Sequence, residues 1–254
     1  MNSQRVLVTA GAAGIGREIV RAFAAEGAAV FVCDIDSKGL ALLAREVTGV
    51  KTGTCDVSSR KDIERMVGEA IQALGGLDVL VNNAGISGPT ATVEEMDPDE
   101  WEKVMQVDLT GTFNVTRVAI PHLKKSKAGV IINMSSVAGR FGYANRSPYC
   151  TAKWGIIGFT KTLSIELGEY GIRANAILPG AVDGPRIQRV FAGRAKQSGQ
   201  SLDEIKRQAM AVQSIKKLVD PRDIAALAVF LASDAAKSIS GQMLPIDNDM
   251  QQAS

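Results

Sequence analysis

Tyr149 and Lys153 stand four residues apart in SPYCTAKWG (147–155), in a chain with three tyrosines and one histidine. On a helix, positions i and i+4 share a face, so a phenol and an ammonium meet there. A phenol so placed is a candidate acid/base group, although an exposed surface pair would have the same spacing. Ser136 gives the pair a context. It lies thirteen residues before Tyr149, just beyond the apolar run GVIINM (129–134). The C-terminal end of a strand is where open α/β sheets place ligands.

A second cluster lies near the N-terminus. VLVTAGAAGIGREI (6–19) reads as a strand, a glycine-rich turn and a helix start. Gly11, Gly14 and Gly16 permit a tight turn, and the N–H groups of the helix start then face an anion, best matched by a pyrophosphate. A triphosphatase loop is rejected, because Arg17-Glu18 stands where such a loop needs Lys followed by Ser or Thr. Asp34 ends the run VFVCD, 18 residues after Gly16 and 23 after Gly11. A carboxylate at that strand end accepts both ribose hydroxyls of an adenosine and repels a 2′-phosphate, which favours NAD over NADP. An ordinary solvated aspartate in a turn is the alternative.

These groups need a scaffold that brings them together. Apolar runs at 5–9, 29–33, 78–81, 129–134 and 172–178 read as strands buried on both faces, with weaker candidates at 50–55 and 242–246. Helical patterns lie between them. Asp97-Pro98-Asp99-Glu100 and Asp220-Pro221-Arg222-Asp223 each carry an N-cap, a proline at the first helical position and an acidic capping-box residue. Ser147-Pro148 opens the helix that carries Tyr149. The alternation predicts an α/β fold, one doubly wound domain over 1–254, with parallel strands and helices on both faces.

Composition narrows the function further. The formal net charge is +2, which gives no general attraction to nucleic acid. The longest uninterrupted apolar stretch, 224–232, has nine residues, against roughly 18 for a membrane-spanning helix. The stretch MNSQRVLVTAG lacks the apolar segment of a secretory signal. Cys33, Cys55 and Cys150 show no metal-ligand spacing, so reduced thiols in the cytoplasm and no metal site are expected. His122 sits beside Lys124 and Lys125 and is expected at the surface. Cys150 is expected to pack rather than react.

The chain closely resembles the short-chain dehydrogenase/reductase family. The resemblance rests on TAGAAGIG (9–16), Asp56-Val57, NNAG (82–85), the serine of SSVAG (135–139), YCTAK (149–153) and Pro179-Gly180, which follow the family's order and spacing over nearly the whole length. It implies a Rossmann-type sheet of about seven strands, NAD(P) binding, hydride transfer at a carbinol or carbonyl carbon, and a homotetramer or sometimes a dimer. It implies cofactor contacts at Gly11, Gly14, Ile15, Gly16, Asp34, Asp56, Val57, Asn83, Ala84, Gly85, Tyr149, Lys153, Pro179, Gly180 and Val182. Tyr149 would move the proton, Ser136 would hold the substrate oxygen, and Lys153 would favour the phenolate and hold the nicotinamide ribose. An ammonium about 4 Å from a phenolate, at an effective dielectric of roughly 20, is worth on the order of 4 kcal/mol.

Four positions depart from the family pattern. Ala10 takes the usual first glycine position. Asp108 stands where the family has a catalytic asparagine, and an ionised carboxylate only accepts hydrogen bonds. Gly184 replaces a threonine and Asn248 a glycine. The segment 185–217, where the family places a substrate lid, holds eight basic and two acidic residues, a net +6 that leaves −4 for the rest. A solvated lid explains such a charge run. The sharper expectation is an anionic substrate clamped by Arg186 or Arg189, with Arg140 and Arg146 on the opposite wall. The functional reading is an NAD-dependent alcohol dehydrogenase or ketoreductase acting on a small alcohol or carbonyl compound. An NADPH-dependent 3-oxoacyl-thioester reductase and a catalytically silent nucleotide-binding regulator are the rivals.

Overall fold

A computed structural model describes residues 4–126 and 128–252. The first three residues of the stretch read for a secretory signal, and the last two of the expected domain, lie outside that range.

Seven parallel strands form one sheet in the order β3-β2-β1-β4-β5-β6-β7. In chain order the elements run β1 (Arg5–Thr9), α1 (Gly14–Ala25), β2 (Ala29–Asp34), α2 (Ser37–Glu46), β3 (Lys51–Thr54), α3 (Arg60–Leu74), β4 (Val79–Asn82), α4 (Pro98–Val104), α5 (Gly111–Leu123), β5 (Val130–Met134), α6 (Ser147–Leu167), β6 (Arg173–Pro179), α7 (Pro185–Ser198), α8 (Leu202–Ala211), α9 (Pro221–Ala232) and β7 (Met243–Ile246). All seven expected strands are present. Alternate residues of each strand face opposite cores. Val6 and Val8 pack with α1 and α9 through Ile19, Phe23, Ile224 and Leu231. Leu7 packs on the other side with Ile63, Met66 and Leu163 of α3 and α6. Burying each such side chain is worth about 1.5–3 kcal/mol, which holds the helices to both faces of the sheet.

The strand order reverses between β1 and β4, so the C-terminal ends of these two strands flank a crevice. Polar links brace it. Asn82 of β4 donates to Asn133 Oδ1 (2.8 Å) and Thr116 Oγ1 (2.9 Å), and Asn133 donates to Thr160 Oγ1 (2.9 Å), which ties β4 and β5 to α5 and α6. At the other end of the sheet, Arg5 meets Asp78 through Nε (2.9 Å) and Nη2 (2.8 Å), and Ser126 Oγ donates to the same carboxylate (2.7 Å). These hydrogen bonds outweigh burial and lower the Asp78 carboxyl to about 2. Its contribution to stability is therefore complete above the ordinary carboxylate range and is lost as pH falls through about 2.

The expected N-caps are present, and the capping box at Glu100 needs correction. Asp97 and Asp220 do cap α4 and α9, but they accept from the N–H two residues on (Asp99 and Arg222). Glu100 pairs with Lys103 instead of closing a capping box. Between α4 and α5 the chain forms one π-helical segment, Met105–Thr110, in a helix that otherwise continues through. Thr112 Oγ1 donates to the Asp108 carbonyl (2.8 Å) there. Such wide turns mark functional sites often, and this one carries Asp108.

Candidate active site

The glycine loop is shaped by close approach more than by turn freedom. A Cβ on Gly11 would lie 2.3 Å from Val32 Cγ2, and one on Gly16 would lie 2.3 Å from the Ala10 carbonyl and 2.5 Å from Asn83 Nδ2. Ala10 adopts φ 52°, a left-handed conformation that explains the family's glycine at that position. The loop is clamped from β4: Asn83 Nδ2 donates to the Thr9 (3.1 Å) and Ala10 (2.9 Å) carbonyls, and Asn83 N and Ala84 N both donate to Thr9 Oγ1 (3.0 Å). Asn83 lines the cavity while its amide nitrogen holds the loop. Helix α1 starts at Gly14 with no side-chain cap and no acid in its first turn. Its leading N–H groups therefore remain open to an anion, and the bare cradle at Gly11 and Gly16 fits a pyrophosphate.

Asp34 is fixed at the end of β2. Its Oδ2 accepts from Ala12 N and its Oδ1 from Asp36 N, both at 3.0 Å. Each oxygen keeps a lone pair for a ribose hydroxyl. Beside it Ile35 is exposed. Arg17 pairs with Glu46, which engages its charge outside the loop. Further along the cleft, Asp56 Oδ1 accepts from Ser58 N (2.8 Å) and Ser58 Oγ (2.7 Å), and Val57 is buried.

At the end of β5, Ser136 Oγ accepts from Ala138 N (3.1 Å) and starts a short 3-10 turn, Val137–Gly139. Its own proton remains available to a substrate oxygen. Ser135 Oγ donates to the Lys153 carbonyl (2.8 Å), which pins this turn to α6. Tyr149 is half-buried on the first turn of α6, and one turn further on Lys153 is buried. The Lys153 ammonium donates to the Met134 carbonyl (3.1 Å) and lies 3.3 Å from Asp108 Oδ2. Asp108 is wholly buried, and its Oδ1 accepts from Ile86 N (2.7 Å). Gly85 leaves room for this pair, since a Cβ there would sit 3.1 Å from both charged atoms.

Gly14, Asn83, Ser136, Tyr149 and Lys153 share one cavity of about 430 Å³, whereas Gly11, Gly16, Asp34, Asp56, Val57, Ala84, Gly85 and Asp108 stand behind or beyond its lining; its size is within the range of small-molecule sites. Ile15, Pro179, Gly180 and Val182 line it with Ser136, Tyr149 and Lys153. So do Arg146, Arg186 and Arg189 of the four expected arginines. Arg140 does not: it is exposed just past the 3-10 turn, with its guanidinium 5.1 Å from the Phe141 ring. Gly184, at the mouth, has φ 143°. That region is closed to a threonine and explains the departure from the family residue.

Among the wall residues not singled out as site residues from the sequence are Tyr143, Arg194 and Met250. Tyr143 donates to Met250 Sδ (3.0 Å), and burial pushes its phenol up to about 12. It therefore stays protonated and does not compete with Tyr149 as a base. Burial likewise raises the Cys150 thiol, which makes it a packing group. His122, half-buried at the end of α5, is shifted down by burial and then by Lys125. Cys33 and Cys55 are also buried free thiols.

The segment expected as a lid forms α7 and α8, which pack on each other through Phe191, Ile205 and Ala209. Val182 and Val219 bridge its base. Asn248 has φ 58°, and its Nδ2 donates to the Lys217 carbonyl (2.8 Å). Asparagine tolerates the left-handed conformation that the family's glycine would supply, and its amide fastens the lid base to the C-terminal segment.

A family model described as Enoyl-(Acyl carrier protein) reductase matches residues 10–250. The chain is 38% identical over 253 residues to the D-beta-hydroxybutyrate dehydrogenase of Cupriavidus necator, covering 97% of both. Among solved structures, it resembles an actinorhodin polyketide ketoreductase variant with NADPH at a TM-score of 0.93 and 33% identity, covering 97% of both chains. NAD+-bound xylitol dehydrogenase is similar at 0.92 and 28%, covering 96% of this chain and 97% of that one. With the seven-stranded fold and the dehydrogenase sequence pattern, these similarities establish that the chain belongs to the short-chain dehydrogenase/reductase family of oxidoreductases.

Proposed function

We propose that this protein catalyses the NAD(H)-dependent interconversion of a secondary alcohol and its ketone. The observation that carries the proposal is the convergence of Ser136, Tyr149 and Lys153 on the cavity whose other rim is the glycine loop. The open N–H groups of α1 would hold the pyrophosphate, and Asp34 the adenosine ribose. NAD, when bound, supplies the hydride acceptor. Tyr149 takes the alcohol proton, and Ser136 donates a hydrogen bond to the substrate oxygen as charge develops on it. Lys153 favours the phenolate. Asp108, an acceptor only when ionised, holds Lys153 in place and balances its charge, so no proton passes through it.

The family model's description favours one rival, an NADPH-dependent reductase of acyl thioesters. Asp34 opposes it, because a fixed carboxylate repels a 2′-phosphate. A silent regulator has no use for an intact Ser136, Tyr149 and Lys153. Steady-state kinetics with both cofactors over a panel of secondary alcohols and ketones provide the test. The expected result is a kcat/KM for NAD(H) at least about tenfold above that for NADP(H). Equal efficiency or an NADP preference would overturn the cofactor assignment and favour the reductase.

A homotetramer, as the family resemblance implies, is part of the same reading. Phe113 and Trp154 are exposed on α5 and α6, as are Ile165, Phe230 and Met243 near the β7 edge. Covering such side chains favours association. Light scattering at the mass of four chains is expected, and a monomer would refute it.

A further inference from the structure

Arg146 stands out among the charged residues of the cavity. It is only 6% exposed, and its Nη2 donates to the Ser87 carbonyl (2.7 Å). Its buried Nε has no partner, and no carboxylate among the described residues lies within ion-pair distance. A buried guanidinium stays protonated, so the protein keeps a charge with no ion-pair partner among the described residues. Lys153, also buried in this cavity, has Asp108 to answer it. Such an uncompensated charge is costly, and that cost is typical of a site that awaits a ligand.

The place of Arg146 says which ligand. Its guanidinium carbon lies 5.0 Å from the centre of the Tyr149 ring, beside the proposed proton acceptor and away from the glycine loop. Arg194, from the lid, stands over Tyr143 at 5.5 Å on the same side. Arg186 donates to the Gly85 carbonyl instead. Among the described residues, the only acidic one lining the cavity is Asp183.

We infer that Arg146 is the fixed anchor for a carboxylate on the substrate, so that the protein acts on a small hydroxy acid or oxo acid whose charge lies a few bonds from the reacting carbon. This rests on the dehydrogenase reading and moves the expected clamp from Arg186 or Arg189 to Arg146. A planar guanidinium pairs with a carboxylate in the same way wherever it occurs, and this one is held rigid on the wall before substrate arrives.

The test uses the NADH-loaded protein and calorimetric titration with pyruvate, acetoacetate and levulinate, each beside its methyl ester. These place the carboxylate one, two or three bonds from the ketone carbon. At least one acid is expected to bind about 30-fold more tightly than its ester, or about 2 kcal/mol at 1.4 kcal/mol per decade. Arg146→Met should abolish that preference while leaving NADH affinity and ester binding unchanged, and Arg146→Lys should keep part of it. Without ligand, Arg146→Met should melt no lower than the wild type, because it removes a buried charge; an arginine kept for structure would lower the melting temperature. Esters binding as tightly as their acids in the wild type, no binding by any acid, or equal loss of acid and ester in Arg146→Met would each overturn the inference. Hydride transfer to esters but not acids would leave the dehydrogenase reading standing and remove the anion site. Acid binding through Arg146 without hydride transfer to any ketone would do the reverse.

Discussion

Replacing Tyr149 with Phe is expected to lower turnover at least about a hundredfold, the usual scale for losing a general acid/base group, while NADH still binds. The substitution removes one hydroxyl and keeps the ring, which packs half-buried at the start of α6 between Arg146 at 5.0 Å and Lys153 at 5.6 Å. Both cations stand over the same phenol ring. Nothing else in the cavity can take over. Tyr143 is held protonated by burial, Cys150 is raised by burial, and Ser136 has no base beside it to activate it. The loss should fall on kcat rather than on cofactor affinity, because the glycine loop forms another part of the cavity wall and Asp34 lies beyond it. Single-turnover rates and NADH fluorescence titration separate the two. A Phe variant that keeps most of its turnover would place the proton transfer on another group.

Much of this arrangement was legible in the sequence because it is local. Strands buried on both faces read as apolar runs, and five of the seven were plain. β3 and β7 were weak because edge strands are half-exposed and carry polar or turn-forming residues such as Lys51, Thr52 and Pro245. Ser136, Tyr149 and Lys153 were visible because one strand end and one helical turn carry them. Groups assembled by tertiary folding were not. The sequence could place Arg146 and Arg140 only as two basic residues in the same loop, yet one is buried in the cavity and the other faces solvent. Tyr143 and Met250 meet across 107 positions. Gly184 and Asn248 looked like unexplained departures until their positive φ angles were known. The π-helical turn that brings Asp108 inward has no periodic signature, since its flanks continue a helical pattern on both sides.

Asp108→Asn is expected to change the pH profile of alcohol oxidation. Asp108 is wholly buried and touches the Lys153 ammonium at 3.3 Å, so its negative charge offsets much of the positive field that Lys153 exerts on Tyr149. An asparagine keeps the acceptor for Ile86 N and removes the charge. The lysine field then acts on the phenol without that counter-charge. The same change should cost stability. Removing one member of a buried ion pair typically costs about 3–5 kcal/mol, and the retained amide contact should bring this down to roughly 2 kcal/mol, or a melting shift of about 4–8 °C for a chain of this size. Asp108→Leu, which also strands the Ile86 N–H, should cost more. Rate profiles between pH 5 and 10 alongside thermal melts decide the matter. Superimposable profiles for the wild type and Asp108→Asn would exclude an electrostatic role in the reaction and leave Asp108 as a hydrogen-bonding support for the turn after β4.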